Sequence, residues 1–243
     1  MTASRGKTEQ HGGKTAPADA GECGKVHDGP PEFAGVGWPA IPGNVVPGGA
    51  CYARPVTAAP KLRFSFREYL RVDADSAVKH EFLDGMILAM AGGTPDHAAL
   101  AAAVTAALNQ QLQGRKCRVY SEALRIRVLA TGFAGYPDVS VVCTRLELDP
   151  EDANTATNPA VVVEILSPST EQYDRGEKLR QYQQIASLSH VVLVAHDEKR
   201  IEVVSRADDA WVTRVVRDGE RASLEAIDCT LDVDDIYRDP LSG

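Results

Sequence analysis

"VVVEILSPSTEQYDRGEKLRQY", residues 161–182, decides how this chain is read. It opens as an apolar, β-branched run of the kind found in strands buried on both faces. Glu164 interrupts that run. A buried, unpaired carboxylate costs several kcal/mol, about the whole stability of a small domain, so something must compensate it. The candidates are a hydrogen-bond network, a basic partner or a metal ion. After the polar turn "SPST", Asp174 and Glu177 have the D-x-x-E spacing of a capping box, which predicts a helix over roughly 175–186. Lys178 then falls near the start of that helix, where a cation opposes the helix dipole. It also borders the apolar positions Leu179, Tyr182, Ile185 and Ala186, a placement that calls for a reason.

Working upstream, "YPDVSVVCT" (136–144) reads as another mostly buried strand, with Asp138 at its entrance after Pro137. If the two strands are neighbours, Asp138 and Glu164 reach the same sheet edge and repel each other. A hard divalent cation relieves that repulsion by taking oxygen ligands. Magnesium suits the pair better than zinc, because no Cys/His cluster accompanies the acids. A lysine aimed at that edge could balance the acids, orient an attacking water or hold a phosphate.

The flanking sequence supplies the rest of an α/β domain. Ser65 can cap a short helix through "FREYLR", and "HEFLDGMILA" (80–89) is a hairpin about Asp84-Gly85. "PDHAALAAAVTAALNQQLQG" (95–114) is a helix, with Asp96 as its expected cap and Gly114 as its stop. Strands follow at "CRVYSE" and "LRIRVLA", the second with Arg125 and Arg127 on an expected solvated face. Downstream, "HVVLVAHD" and "RIEVVSRA" are strands, "AWVTRVV" and "ASLEAI" suggest a hairpin, and "DVDDIYRD" a short terminal helix. This order predicts a mixed central β-sheet flanked by helices, with helix on at least one face.

Residues 1–60 differ from the remainder. They hold 11 of the 20 Gly and 8 of the 14 Pro and show no sustained apolar periodicity, so they are expected to form a disordered Gly/Pro-rich tail. Phe33, Trp38 and Tyr52 lie in it with nothing to mark a partner. Residues 61–243 are then one domain, long enough for a well-buried core. The tail is neutral, so the net charge of −8 belongs to the domain, with 21 basic against 29 acidic residues. That balance argues against a broad basic surface for nonspecific duplex binding. A local basic groove would have to come from Arg115, Lys116 and Arg118, or from Arg125 and Arg127. The five cysteines are odd in number and widely spaced, which suits reduced thiols rather than a disulfide framework or zinc site. No stretch has the length of a signal peptide or membrane span, and a cytoplasmic location is the expectation.

"YPDVSVVC" followed by "PAVVVEILSPSTEQYDRGEKLRQYQQIASLSHVVLVAHDEKRIEVV" resembles the Uma-type bacterial family of restriction-endonuclease-like proteins, within the PD-(D/E)XK nuclease superfamily. "HEFLDGMILAMAGGTPDHAAL" and "LEAIDCTLDVDDIYRD" match the same family's entry and closing segments, so the resemblance covers about residues 62–240. It implies a restriction-endonuclease-like core and a Mg²⁺-dependent endonuclease acting on DNA. Asp138 and Glu164 match the two metal-binding acids, with the Ile165 carbonyl as a further ligand. Glu81 matches an upstream acid that completes the metal shell. The superfamily lysine is expected two places after the second acid, where this chain has Leu166. The resemblance implies its migration onto Lys178. His97 falls on a recurrent position and would support the site. Met86 departs from relatives that carry an acid after the turn glycine. Many superfamily members are homodimers, a state on which this sequence is silent.

Two other function classes fit the same residues. One is a catalytically silent nucleic-acid-binding or assembly module that keeps the nuclease fold; the other is a metal hydrolase of a different phosphodiester. Each site residue also has a structural reading: Glu164 bonded to Ser167, Ser169 or backbone amides, Asp138 tying down a strand entrance, Lys178 solvated, and Tyr182 packed in the core.

Overall fold

The computed structural model describes residues 63–239. The expected tail over 1–60, with Phe33, Trp38, Tyr52, Cys23 and Cys51, lies outside them. In chain order the elements are α1 (Phe66–Asp75), β1 (His80–Leu83), β2 (Met86–Ala89), α2 (Pro95–Gln111), β3 (Arg118–Ser121), β4 (Arg125–Arg127), β5 (Ala134–Gly135) and β6 (Val139–Val142). They continue with β7 (Leu148–Asp149), β8 (Asp152–Ala156), β9 (Val161–Ile165), helix α3 over 171–182, β10 (His190–Val194), β11 (Arg200–Ala207), β12 (Ala210–Arg217), β13 (Arg221–Leu224), β14 (Cys229–Asp232) and α4 (Val233–Ile236). Among the described residues, no helix is long and apolar enough to cross a membrane.

The central sheet has the order β12-β11-β10-β9-β6-β3. Only β9 and β10 run parallel; the other neighbours are antiparallel, so the sheet is mixed. β9 and β6 are interior strands, and their valines are buried on both faces, as the β-branched runs predict. On one face, Val139, Val141, Val161, Val163 and Ile165 pack against Leu100, Val104 and Leu108 of α2. These helix residues recur every four positions, which presents one stripe to the sheet. On the other face, Val162, Leu166, Val191 and Leu193 meet Tyr182, Ile185 and Leu188, together with Ile126 from a second sheet and Val128 and Phe133 just beyond its strands. Each such buried aliphatic side chain contributes roughly 1.5–3 kcal/mol. The second sheet, ordered β2-β1-β5-β4-β8-β7, thus covers a face on which helix was only one option.

Several local expectations hold. Ser65 and Glu68 form a reciprocal capping box on α1. Asp84 and Gly85 both have positive φ, 49° and 76°, and join the pair Leu83↔Met86 in a two-residue turn. Others are corrected. α2 is capped by the Thr94 hydroxyl, which accepts from the His97 N–H, while Asp96 lies in the first turn; Pro95 takes the position that needs no donor. β13 pairs with β14 rather than with β12.

Arg125 and Arg127 do not form a solvated face. Arg125 is buried and donates to Asp73, Asp152, Thr155 and Tyr136 at 2.6–3.1 Å. Arg127 pairs with Asp149 and stacks over Phe66. Strand alternation marks which residues share a face, but the packing of α1 and β8 decides that this face is internal. Cys117 and Cys143 are not free thiols but joined in a disulfide. The register Arg118↔Val142 makes them the next opposed pair across β3 and β6, a proximity that linear spacing does not reveal. The thiol-based argument for a reducing compartment falls with it.

Candidate active site

The acids are brought together by strand register. Val139 of β6 opposes Val163 of β9, so Asp138 and Glu164 are the next opposed positions. In a pleated pair such positions point to one face of the sheet. The Ile165 N–H donates to Asp138 Oδ2 at 2.7 Å. A residue's N–H and C=O leave an extended strand on the same edge, so the Ile165 carbonyl also faces Asp138. His97, from the first turn of α2, reaches both groups: its Nε2 lies 3.3 Å from Asp138 Oδ2. The hydrogen bond to Asp138 lifts the imidazole pKa above its ordinary value, against the opposing effect of burial.

Lys178 comes from α3, which is not built as the sequence predicts. The helix begins at Glu171, passes through a π segment at Asp174–Lys178 and ends at Tyr182. Single π turns inside helices are frequent at functional sites. Asp174 is therefore not a cap but an interior residue, buried with Lys178. Glu177 instead bonds Arg180 and Gln181 on the outer side. The ammonium of Lys178 lies 2.9 Å from Glu81 Oε1, 3.1 Å from Glu164 Oε1 and 3.6 Å from Asp174 Oδ1. All four side chains are 4–5 % exposed. Burial disfavours the ammonium, but the acids outweigh it and hold the Lys178 pKa well above the usual lysine value. Burial likewise pushes the Glu164 carboxyl well above the carboxylate range, with Lys178 opposing.

Glu81 arrives from hairpin β1–β2. Gly135 on the neighbouring β5 makes room for it, since a Cβ there would sit 3.1 Å from Glu81 Oε1 and 2.8 Å from the Phe133 ring. That oxygen is buried without a well-formed hydrogen bond, its contact with Lys178 being ionic. The Tyr182 hydroxyl donates to Glu164 Oε1 at 2.8 Å. Glu164 is thus compensated by a lysine and a tyrosine. Ser167 bonds Ser169 and Thr170 instead.

All five expected site residues, Glu81, His97, Asp138, Glu164 and Lys178, together with Ile165, line one cavity of about 350 Å³. Asp174, Tyr173 and Tyr182 join the cluster without having been singled out for chemistry. Asp174, Lys178 and Tyr182 recur every four residues, a spacing that could have flagged Asp174 had the capping-box pattern not absorbed it. A second cavity of about 910 Å³ adjoins the first, sharing Gly92, Gly93, His97 and Asp138, and runs along α2 past Lys79. Of the other expected basic residues, Arg115 holds the Ile227 and Asp228 carbonyls, Arg125 and Arg127 are paired as described, and Lys116 and Arg118 are exposed.

The donor set suits a hard cation. Four carboxylates, Glu81, Asp138, Glu164 and Asp174, line the cavity with one ammonium that contacts three of them, Glu81 Oε1 accepts no well-formed hydrogen bond, and the donors are oxygens. Among the described residues, no three His, Cys, Asp or Glu side chains form a ready-made metal cage. Magnesium asks less than that, commonly one or two carboxylates with waters and substrate phosphates completing its shell.

Comparison with known proteins agrees with this architecture. The Uma2 family, described as "Putative restriction endonuclease", matches residues 66–234. An uncharacterized protein of Synechocystis sp., slr1290, is 35% identical over 185 residues, 74% of this chain and 95% of that protein. A second from the same organism, sll1609, is 26% identical over 171 residues, 70% of this chain and 96% of that one. Among solved structures, a putative nuclease belonging to DUF820 from Anabaena variabilis superposes with a TM-score of 0.56 at 20% identity, covering 67% of this chain and 91% of its own. That likeness shows a shared fold.

Proposed function

We propose, from the premise that this chain belongs to the Uma2 family of putative restriction endonucleases, that it is a Mg²⁺-dependent endonuclease hydrolysing phosphodiester bonds of DNA. The observation that carries this reading is the Lys178 ammonium, 3.1 Å from Glu164 Oε1 on the face that Glu164 shares with Asp138. Asp138, Glu164 and the Ile165 carbonyl would hold the cation, and Glu81 stands near enough to complete its surroundings. When bound, a magnesium ion supplies positive charge to the attacked phosphate and makes water more acidic.

The chain's own residues do the rest. Lys178 is a buried, fixed cation in a site with little water to screen it, so it stabilises the negative charge that builds on the phosphate as water attacks. Glu81 and Asp174 hold its ammonium in place. His97 steadies Asp138 from the α2 side. Water adds to phosphorus, the P–O bond to the leaving nucleotide breaks, and a proton passes to the departing oxygen. The adjoining cavity along α2 is the route by which the substrate strand reaches the acids.

The test is cleavage of circular, linear and single-stranded DNA by the full chain, with Mg²⁺ and with chelator. Cleavage is expected only with the metal, and Asp138→Asn or Glu164→Gln should abolish it. Activity that survives either substitution overturns the assignment. Retained DNA binding without any cleavage points to the silent-module reading instead.

A further inference from the structure

Tyr182 is not among the residues that a paired-carboxylate site requires, and its ring alone would explain its burial. It packs edge-on against Phe133, with ring centroids 5.7 Å apart, and is fully buried. The hydroxyl needs a separate explanation. A buried phenol must find an acceptor, and many backbone carbonyls could serve. This one donates to Glu164 Oε1 at 2.8 Å, and Lys178 approaches the same oxygen at 3.1 Å. Both contacts fall on Oε1, so the carboxylate is gripped by one oxygen and its other oxygen is left for a cation.

Tyr182 stands one helical turn beyond Lys178, and Lys178 one π turn beyond Asp174. The three side chains therefore descend α3 as a row, with Asp174 contacting Lys178 and both Lys178 and Tyr182 contacting Glu164. A carboxylate on a flexible two-carbon stem has several rotamers. Two donors on a rigid helix select one of them.

Resting on the proposed metal-dependent reaction, we infer that Tyr182 is a positioning residue: its hydroxyl orients the Glu164 carboxylate so that Oε2 is presented to the divalent cation. Outer partners of this kind alter metal affinity about 10–100-fold when removed. The phenol has one O–H, aimed by the packed ring at Glu164 alone, whereas the Lys178 ammonium is shared among three acids.

The test is Tyr182→Phe in the full chain, which keeps the ring against Phe133 and deletes only the hydroxyl. Mn²⁺ binding followed by calorimetry should weaken about tenfold or more, and kcat should fall with little change in KM for DNA. Phe133→Leu disturbs the packing of the same ring but leaves the hydroxyl in place, so it should lower thermal stability while retaining Mn²⁺ affinity. Wild-type Mn²⁺ affinity in Tyr182→Phe overturns the inference alone and leaves the nuclease reading standing. So does a Tyr182→Phe chain that fails to fold, or loss of Mn²⁺ binding in Phe133→Leu equal to that in Tyr182→Phe, since either assigns the tyrosine to packing. A wild-type chain that binds no divalent cation overturns both readings together.

Discussion

The ammonium of Lys178 lies 2.9 Å from Glu81 Oε1, so a helix late in the chain and a hairpin near the start of the domain share one buried charge. Glu164 and Asp174 complete its surroundings, and all three acids contact that one cation. The cluster is both a candidate catalytic group and a structural liability.

Lys178→Met removes the cation and leaves three buried carboxylates facing one another. Breaking a buried ion pair in this way costs roughly 3–5 kcal/mol. Urea unfolding should show a loss of that size, and cleavage should drop at least about a hundredfold. The double variant Lys178→Met with Glu164→Gln should recover part of the stability, because the second change removes one of the stranded charges. Additive losses in the double variant would show that the two residues do not interact.

Metal affinity should rise with pH. Burial holds the Glu164 carboxyl well above its ordinary range in the metal-free protein, with Lys178 opposing. A cation needs the carboxylate, so binding displaces a proton and is penalised wherever Glu164 is protonated. Mn²⁺ affinity should therefore increase as pH rises, and calorimetry in buffers of different ionisation enthalpy should detect proton release. Glu164→Gln should eliminate that release. An affinity independent of pH would contradict this account of the site.

The Cys117–Cys143 bond closes a segment with a sequence separation of 26. Loss of such a cross-link restores chain entropy to the unfolded state, a change of roughly 3 kcal/mol. Reduction, or Cys117→Ser, should lower the urea midpoint by a corresponding amount. The cross-link ties the far end of β6, the strand that Asp138 opens, so the oxidised protein is the one to use in metal titrations. Equal midpoints with and without reductant would show that the bond contributes nothing to stability.

His190 makes the folded state sensitive to acid. It is buried, and its pKa is lowered by that burial, with Glu225 opposing weakly. Its Nδ1 contacts the Ser205 hydroxyl, and its Nε2 accepts from the Ala226 N–H, a role open only to the neutral ring. The unfolded chain thus binds the proton more readily than the folded one. Stability is full above the unfolded value near 6.5 and falls as pH drops below it, by about 1.4 kcal/mol for each unit of separation. Unfolding at about pH 7.5 and about pH 5 should show this loss, and His190→Gln should flatten it. A wild-type slope in His190→Gln would place the acid sensitivity elsewhere.

The local signals in the sequence were sufficient for the elements that neighbouring residues decide. The β-branched runs at 139–142 and 161–165, the Asp84-Gly85 turn and the Ala-rich helix all form where their side chains prefer, because backbone propensity acts over a few residues. Glu164 inside an apolar run was legible as a residue in need of a partner for the same reason. Partner identity was not. That Tyr182 donates to Glu164, that Asp174 is an interior acid rather than a cap, that Arg125 is buried, and that Cys117 faces Cys143 all follow from which surfaces meet. Burial strengthens or penalises a charge far more than its neighbours in sequence do, and burial is decided only when β6, β9, α3 and the β1–β2 hairpin close over one another.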